Sequence, residues 1–321
     1  MEFSIVVPCY NEEDVLPEFI KRVQGVIQNK AYSDSEVILV DDGSSDKTWQ
    51  LISYISQQDS RFKGVKLSRN FGHQLALSAG LAESIGEKVF VCDADLQDPP
   101  ELLIEMNEAM IAGNADVVYG MRTSREGETK FKKATASAFY RILKKLSDVD
   151  MPLDSGDCRL IRRHIVELLS DMPEQDKFIR GMIAWMGFKQ IPHEYNRDAR
   201  AAGETKYSLS KMISFATDAL IGFSMLPLRF SAYLSMTMLT FMGLILVYTM
   251  FSWVFLDSVP GWSSTMLVVS LIAGIQFLIL GVMGEYLGRL YIQNKKRPLF
   301  IISERSVQPK LQTNNLDNEN L

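Results

Sequence analysis

Two carboxylates one residue apart, Asp93 and Asp95, follow the apolar run Lys88–Cys92. Placed where a strand leaves a sheet, such a pair makes a site for a hard divalent cation. Oxygen ligands of this kind suit Mg²⁺ or Mn²⁺ bridging the phosphates of a nucleotide. The string continues Leu96-Gln97-Asp98-Pro99-Pro100-Glu101, so Gln97 offers a further oxygen and the proline pair opens a helix. An acidic turn capping that helix would leave the same string.

Three other polar clusters stand in equivalent places. Pro8-Cys9-Tyr10-Asn11-Glu12 follows the run Phe3–Val7, Asp41-Asp42-Gly43-Ser44-Ser45-Asp46 follows Glu36–Val40, and Gly120-Met121-Arg122 follows Asp116–Tyr119. A further apolar run lies at Gly64–Leu67. Helix-length amphipathic segments separate the runs at Glu13–Gln28, Asp46–Gln57, His73–Ser84 and Glu101–Ala112. This alternation predicts an α/β fold with a mostly parallel sheet covered by helices. In such sheets ligands bind beyond the carboxyl ends of the strands. Asp-Gly-Ser before a helix is ordinary turn chemistry, but four polar clusters at four strand ends point to one shared crevice.

The 321 residues carry a formal net charge of −5, a balance that does not suggest a nucleic-acid binder. Mean hydropathy is +0.01, high for a chain with 23% charged residues. The apolar residues are concentrated: Ser231–Leu256 and Thr265–Gly284 contain no charge. At 1.5 Å per residue these runs reach about 39 and 30 Å, enough to cross a bilayer core. Asp257–Ser264 between them has no Lys or Arg, whereas Lys206, Lys211 and Arg229 precede the pair and Arg289, Lys295, Lys296 and Arg297 follow it. The positive-inside rule puts both flanks in the cytoplasm and the short loop outside.

Met1–Pro8 runs straight into a strand pattern without a signal peptide, so the N-terminal part is expected to stay cytosolic. Cys9, Cys92 and Cys158 have no metal-type spacing and fit a reducing compartment. His73, His164 and His193 form no HxxxH or HExxH pattern and read as surface or core residues. Thr129–Leu146 is basic and amphipathic; it can lie in a membrane interface or pack on the domain. Gly274, Gly281 and Gly284 with Glu285 suggest helix–helix contact and a homo-oligomer.

The strings VVPCYNEE (Val6–Glu13), VDDGSSDKT (Val40–Thr48), SRNFGHQLALSAG (Ser68–Gly80), DADLQDPPE (Asp93–Glu101), SGDCRLI (Ser155–Ile161), GETKYS (Gly203–Ser208) and GEYLGRLY (Gly284–Tyr291) occur in order over nearly the whole chain. Together they resemble the family 2 glycosyltransferases of the GT-A fold. Within that family the resemblance is greatest to the polyprenyl-phosphate sugar transferases, above all the bactoprenol glucosyltransferases, with dolichol-phosphate mannose synthases related. Two spans fit that subgroup. The QxxRW string of processive polysaccharide synthases does not occur.

The resemblance implies a cytosolic GT-A domain at 1–208, a juxtamembrane amphipathic region at 209–230, two transmembrane helices within 231–288 (231–256 and 265–288), and a basic, disordered cytosolic tail at 289–321. Pro8, Tyr10, Glu12 and Asp42 would hold the nucleobase and ribose. Asp93 would help hold the nucleotide and the metal, with Asp95 and Gln97 as ligands of Mg²⁺ or Mn²⁺. Arg122 and Lys206 would meet phosphates. Asp157 and Arg159 would lie beside the reacting sugar and acceptor.

The implied reaction is attack of a lipid phosphate oxygen on the anomeric carbon of a nucleotide sugar. Its partners are the nucleotide sugar, polyprenyl (undecaprenyl) phosphate and the plasma membrane. One displacement inverts the centre. A phosphate monoester has a second pKa of about 6 and is largely dianionic at neutral pH, so Asp157 is expected to orient the acceptor and remove only a residual proton. UDP-glucose is the first choice of donor, with UDP-GlcNAc, UDP-galactose and other nucleotide sugars open. Two alternatives remain: a glycolipid synthase acting on a lipid hydroxyl, which would need Asp157 as base, and a non-enzymatic membrane-anchored scaffold or flippase partner.

Overall fold

The structure is a computed structural model and describes residues 1–122, 155–175, 177–195, 226–255 and 261–306. The chain divides into two compact units. In the first, the described elements run β1 (Phe3–Cys9), α1 (Leu16–Gln28), a 3₁₀ turn, β2 (Ser35–Asp41), α2 (Thr48–Gln58), β3 (Phe62–Leu67), α3 (His73–Glu83), β4 (Lys88–Val91), α4 (Leu102–Gly113), β5 (Val117–Arg122), β6 (Ser155–Arg162), α5 (Arg163–Asp171), α6 (Ile179–Met186) and β7 (Gln190–Tyr195). A last strand, β8 (Ile302–Arg305), belongs to the same unit.

The strands form one sheet in the order β7-β5-β6-β4-β1-β2-β3-β8. β1 lies parallel to β2 and β4, β2 to β3, and β5 to β7. This is the mostly parallel α/β sheet expected of a GT-A-like fold. β1 and β2 are buried along their whole length, which is why they read as near-continuous apolar runs. Glu36 is a charged residue within that core. It accepts from Ser4 Oγ at 2.5 Å and from the Ile85 amide at 2.7 Å, and pairs with Lys63 at 2.5 Å, so its buried charge is compensated. α3 packs closely on the sheet because Gly80 has no side chain: a Cβ there would stand 2.3 Å from Val6 Cγ1 and 3.0 Å from Val40 Cγ2.

β6 departs from the parallel pattern. It inserts between β5 and β4, antiparallel to both. Asp157 therefore sits on a strand inside the sheet. β8 is the second departure. It pairs antiparallel with β3, and Trp49 Nε1 donates to Glu304 at 3.1 Å while Arg305 pairs with Glu83 at 2.7 Å. The edge of β3 is thereby covered. The expected disordered tail at 289–321 is therefore not one piece. Residues 289–294 continue a helix, Ile302–Arg305 form a strand, and 307–321 lie outside the described residues.

The second unit contains two long helices, α7 (Leu226–Phe255) and α8 (Trp262–Asn294), which pack on each other. They match the two apolar runs. Among the described residues, Leu271–Asn294 is long and apolar enough to cross a membrane, with a mean hydropathy of 1.6, and Phe230–Ile245 is apolar but shorter. Large apolar side chains such as Tyr233, Leu239, Val247, Phe277 and Leu287 are exposed on both helices. The basic helix expected at Thr129–Leu146 and the region 209–225 lie outside the described residues.

Candidate active site

Three loops that leave the carboxyl ends of β1, β2 and β3 are tied into one wall. At the end of β1, Asn11 adopts φ 55° and its side chain accepts from the Ser45 amide at 2.9 Å, while its own amide donates to Ser44 Oγ at 3.0 Å. The Glu12 amide donates to Thr48 Oγ1 at 2.9 Å, and the Glu13 amide to Asp46 at 3.2 Å. These bonds hold the segment expected to begin α1 in a loop, so α1 starts at Leu16 instead of Glu13. Asp42 joins the second loop to the third: its carboxylate accepts from the Phe71 amide at 2.7 Å and the Gly72 amide at 2.9 Å. Burial pushes the Asp42 carboxyl up, against the pull of those two amides. Gly43 allows the approach. Its φ is +69°, and a Cβ there would stand 2.5 Å from the backbone of Arg69.

The opposite wall is the Asp93–Asp98 loop after β4. Leu96 is held at φ 59°, an uncommon conformation for a bulky residue and a mark of a constrained loop. Inside this bend the Gln97 amide donates to Asp95 Oδ1 at 3.1 Å. Asp98 is buried and accepts from the Tyr195 hydroxyl, which anchors the far end of the loop to β7. Between the walls lies a cleft of about 310 Å³. Pro8, Tyr10, Glu12, Asp42, Asp93 and Asp95 all line it, as do Gly72 and His73. It opens where β1 separates β4 from β2, the switch point at which open α/β sheets bind ligands.

Asp157 meets the cleft through His73. Its Oδ2 lies 3.2 Å from His73 Nε2 and 3.4 Å from Gln74 Nε2, and its Oδ1 lies 3.2 Å from Arg180 Nε. His73 Nε2 also stands 3.7 Å from Asp93. Burial alone would pull the His73 pKa down, but the bond to Asp157 and the charges of Asp93 and Asp157 outweigh it and raise it to about 9. Burial raises Asp93 to about 6, with Asp157, Asp98 and Asp95 adding to the shift against His73. Asp157 goes the other way. Burial opposes its charge, yet the His73 bond and the Arg180 charge hold it well below the usual carboxylate range.

Of the residues expected at the site, then, the cleft gathers Pro8, Tyr10, Glu12, Asp42, Asp93 and Asp95. Gln97 is buried in the adjoining bend. Arg159 is buried on β6, and its guanidinium turns back to the carbonyls of Gly156 at 3.0 Å and Asp157 at 3.3 Å. The guanidinium that forms an ion pair with the Asp157 carboxylate is that of Arg180. Arg122 ends β5, but its side chain and the whole of Lys206 lie outside the described residues. His73 was read as a surface or core residue; it is a wall of the cleft. Gln74 and Arg180 were not singled out. A histidine opening α3 straight after its N-cap glycine, Gly72, was the available signal for His73. Nothing local marks Arg180.

The Asp93–Gln97 bend fits a divalent cation on its own chemistry. Asp93 Oδ1 and Gln97 Oε1 are buried without a hydrogen-bond partner, and unsatisfied buried oxygens call for a ligand. The set is all oxygen, as Mg²⁺ and Mn²⁺ prefer. Among the described residues no three His, Cys, Asp or Glu side chains converge as a ready cage. A cation held here would take remaining ligands from a substrate, the habit of Mg²⁺ with phosphates.

A GT-A-like sheet with an acidic cleft at its switch point defines a class of sugar-transferring enzymes. The chain belongs to glycosyl transferase family 2, whose model matches residues 4–169, and is a glycosyltransferase. It is 44% identical over 95% of its length to the uncharacterized glycosyltransferase YkcC of Bacillus subtilis, covering 94% of that protein. It is 36% identical over 94% of its length to the prophage bactoprenol glucosyl transferase homolog of Escherichia coli, covering 98% of it. To the bactoprenol glucosyl transferase of Shigella phage SfX it is 34% identical over 95% of its length, covering all of that chain.

Proposed function

We propose that this glycosyltransferase moves a hexosyl group from a nucleotide sugar, UDP-glucose first among the donors, to polyprenyl phosphate at the cytoplasmic face of the plasma membrane, with inversion. The observation that carries the reading is a pair of unlike carboxylate groups, one lining the cleft and one reached from it through His73. On one side stand Asp93, Asp95 and Gln97, open to a cation and a diphosphate. On the other, Asp157 is held as an anion by His73 and Arg180. Relatives named for bactoprenol glucosyl transfer align over nearly the whole chain, helices included.

Pro8, Tyr10, Glu12 and Asp42 hold the nucleobase and ribose. Both Asp42 oxygens already accept a backbone amide, so nucleoside contacts use their remaining lone pairs. Asp93, Asp95 and Gln97 hold the divalent cation. When bound, it neutralises charge developing on the departing nucleoside diphosphate. Arg122 and Lys206 meet phosphates. Asp157 orients the acceptor through the cations around it. A carboxylate so firmly ionised is a poor base, and a phosphate already mostly dianionic at neutral pH needs none. This favours the phosphate acceptor over a lipid hydroxyl, which would have to surrender a proton.

The membrane hairpin rests on α7 and α8. β8 supports it by a parity argument. The chain leaves the sheet before α7 and returns to it at β8, so both points lie on one side of any membrane it enters. Crossings between them must be even in number. With Leu271–Asn294 as one span, α7 supplies the other. A cysteine at Ser258 is then expected to react with an impermeant maleimide on intact cells, against little background, because Cys9, Cys92 and Cys158 are buried. Reaction only after permeabilisation would place the loop on the inner face and break the topology.

Incubating the purified chain and undecaprenyl phosphate with a panel of nucleotide sugars, followed by mass spectrometry of the lipid, tests the whole reading. A hexose added to the lipid phosphate is the expected product. No transfer from any donor with Mn²⁺ or Mg²⁺ present, or transfer to a hydroxyl lipid offered alongside and not to the phosphate, would refute it.

A further inference from the structure

We propose that Gln74 and Arg180 are positioning residues for the transfer, which together hold the Asp157 carboxylate in one orientation at the acceptor side of the cleft. The inference rests on the acceptor-side reading of Asp157 given above. A carboxylate on a strand can rotate about two side-chain bonds. Here its two oxygens meet partners from two different helices: Oδ1 forms an ion pair with Arg180 of α6 at 3.2 Å, and Oδ2 accepts from Gln74 of α3 at 3.4 Å, beside His73 at 3.2 Å. Rotation in either direction breaks one of these contacts.

Gln74 is itself fixed. Its Oε1 accepts from the Ile179 amide at 3.2 Å, so its amide group has one useful orientation, with the NH₂ toward Asp157. Turning it over would set an oxygen against a carboxylate and an N–H against an N–H. Ile179 is the first residue of α6 and the neighbour of Arg180. Gln74 therefore acts on Asp157 twice, directly and by seating the helix that presents Arg180. Arg180 is steadied on its other side, 5.3 Å over the ring of Phe178. A tie serving the fold alone could be made of apolar side chains, since exchanging a buried ion pair for packed hydrophobes is often neutral or stabilising. The retained polar cluster borders the cleft through His73 and leaves Asp157 charged there.

The test is a double-mutant cycle on the full chain in detergent or nanodiscs. It uses undecaprenyl phosphate and the donor that gives product in the panel described above. Gln74→Met and Arg180→Lys are made in the parent and in an Asp157→Asn background. Labelled donor and long incubations keep slow transfer readable. In the parent, each change is expected to lower kcat by about 5- to 50-fold, in the range of coupling between contacting residues. Donor KM should stay within about twofold, and the melting temperature close to the parent's. In the Asp157→Asn background the same changes should cost less than about twofold. Equal losses in both backgrounds, a rise in donor KM as the main effect, or losses that track melting temperature would each overturn the proposal. Full activity of Asp157→Asn alone would instead remove the acceptor-side reading on which it stands. Arg180→Lys retains the charge, so the test remains open if harsher changes at that position fail to fold.

Discussion

Asp95→Ala is expected to lower sugar transfer by about 10²–10³-fold, the effect of removing one strong electrostatic partner from a transition state, roughly 3–4 kcal/mol. Asp95 lines the cleft in the same bend as Asp93 Oδ1 and Gln97 Oε1, two buried oxygens without hydrogen-bond partners. Its other task is local, since Oδ1 accepts the Gln97 amide at 3.1 Å and helps keep Leu96 at φ 59°. Alanine removes both functions, so Asp95→Asn separates them. Asparagine retains the oxygen that closes the bend but loses the charge that binds a cation. If Asp95 serves the cation, Asn is nearly as damaging as Ala, and Mn²⁺ no longer tightens binding of UDP in calorimetry. If the pair is only a turn, Asn restores activity, and excess EDTA leaves the parent enzyme unaffected.

Asp157→Asn should lower kcat by a similar factor and leave donor affinity within a few-fold. The shape is retained, but an amide cannot satisfy Arg180 on one side and both His73 and Gln74 on the other. One of its faces presents N–H to donors. The pH dependence is informative as well. A carboxyl whose folded pKa is depressed contributes stability above its unfolded value of about 4, and loses it as pH falls through the folded value. Asp157 stays charged throughout the range from pH 5.5 to 8, so the parent's dependence on it should persist across that whole range. The parent's stability advantage over Asp157→Asn should shrink below about pH 4, as Asp157 takes up a proton, and again as pH rises through about 9, where His73 loses the charge that Asp157 holds. A deficit confined to the acid side of neutrality would mean that Asp157 works as a base. Loss of UDP binding would move it to the donor side.

Much of this arrangement could be read in the chain before its structure. The strands β1 to β5 and helices α2 to α4 lie within a few residues of the apolar runs and amphipathic segments, because both faces of a central parallel strand are buried and its composition shows it. The cleft residues at the ends of β1, β2 and β4 follow from the same logic. What escaped has a common physical cause. The place of β6 depends on pairing with β4 and β5, and antiparallel insertion into a parallel sheet leaves no trace in local periodicity. Arg180 reaches Asp157 from a separate helix with no fixed spacing. His73 differs from an ordinary helix-opening residue only by what the fold brings opposite it. β8 has the sequence Ile302-Ser303-Glu304-Arg305, charged and short as edge strands are, and such a string resembles a tail.

β8 also governs the order in which the protein can be completed. A ribosome releases it after both long helices, yet its partner strand is among the early ones made. Ser303 bonds to the Lys66 carbonyl across 237 positions of sequence. Contacts of that separation form late, because the chain entropy of closing so large a loop is met before the pairing rewards it. During synthesis the flank of β3 is thus a bare template for any passing strand, and stays so until the C-terminal segment threads home. Cutting the chain after its first two hundred residues to obtain a soluble catalytic fragment would make that interim state permanent. Such a fragment would keep its cleft and lose the seal on its sheet, so self-association through β3 would limit its yield.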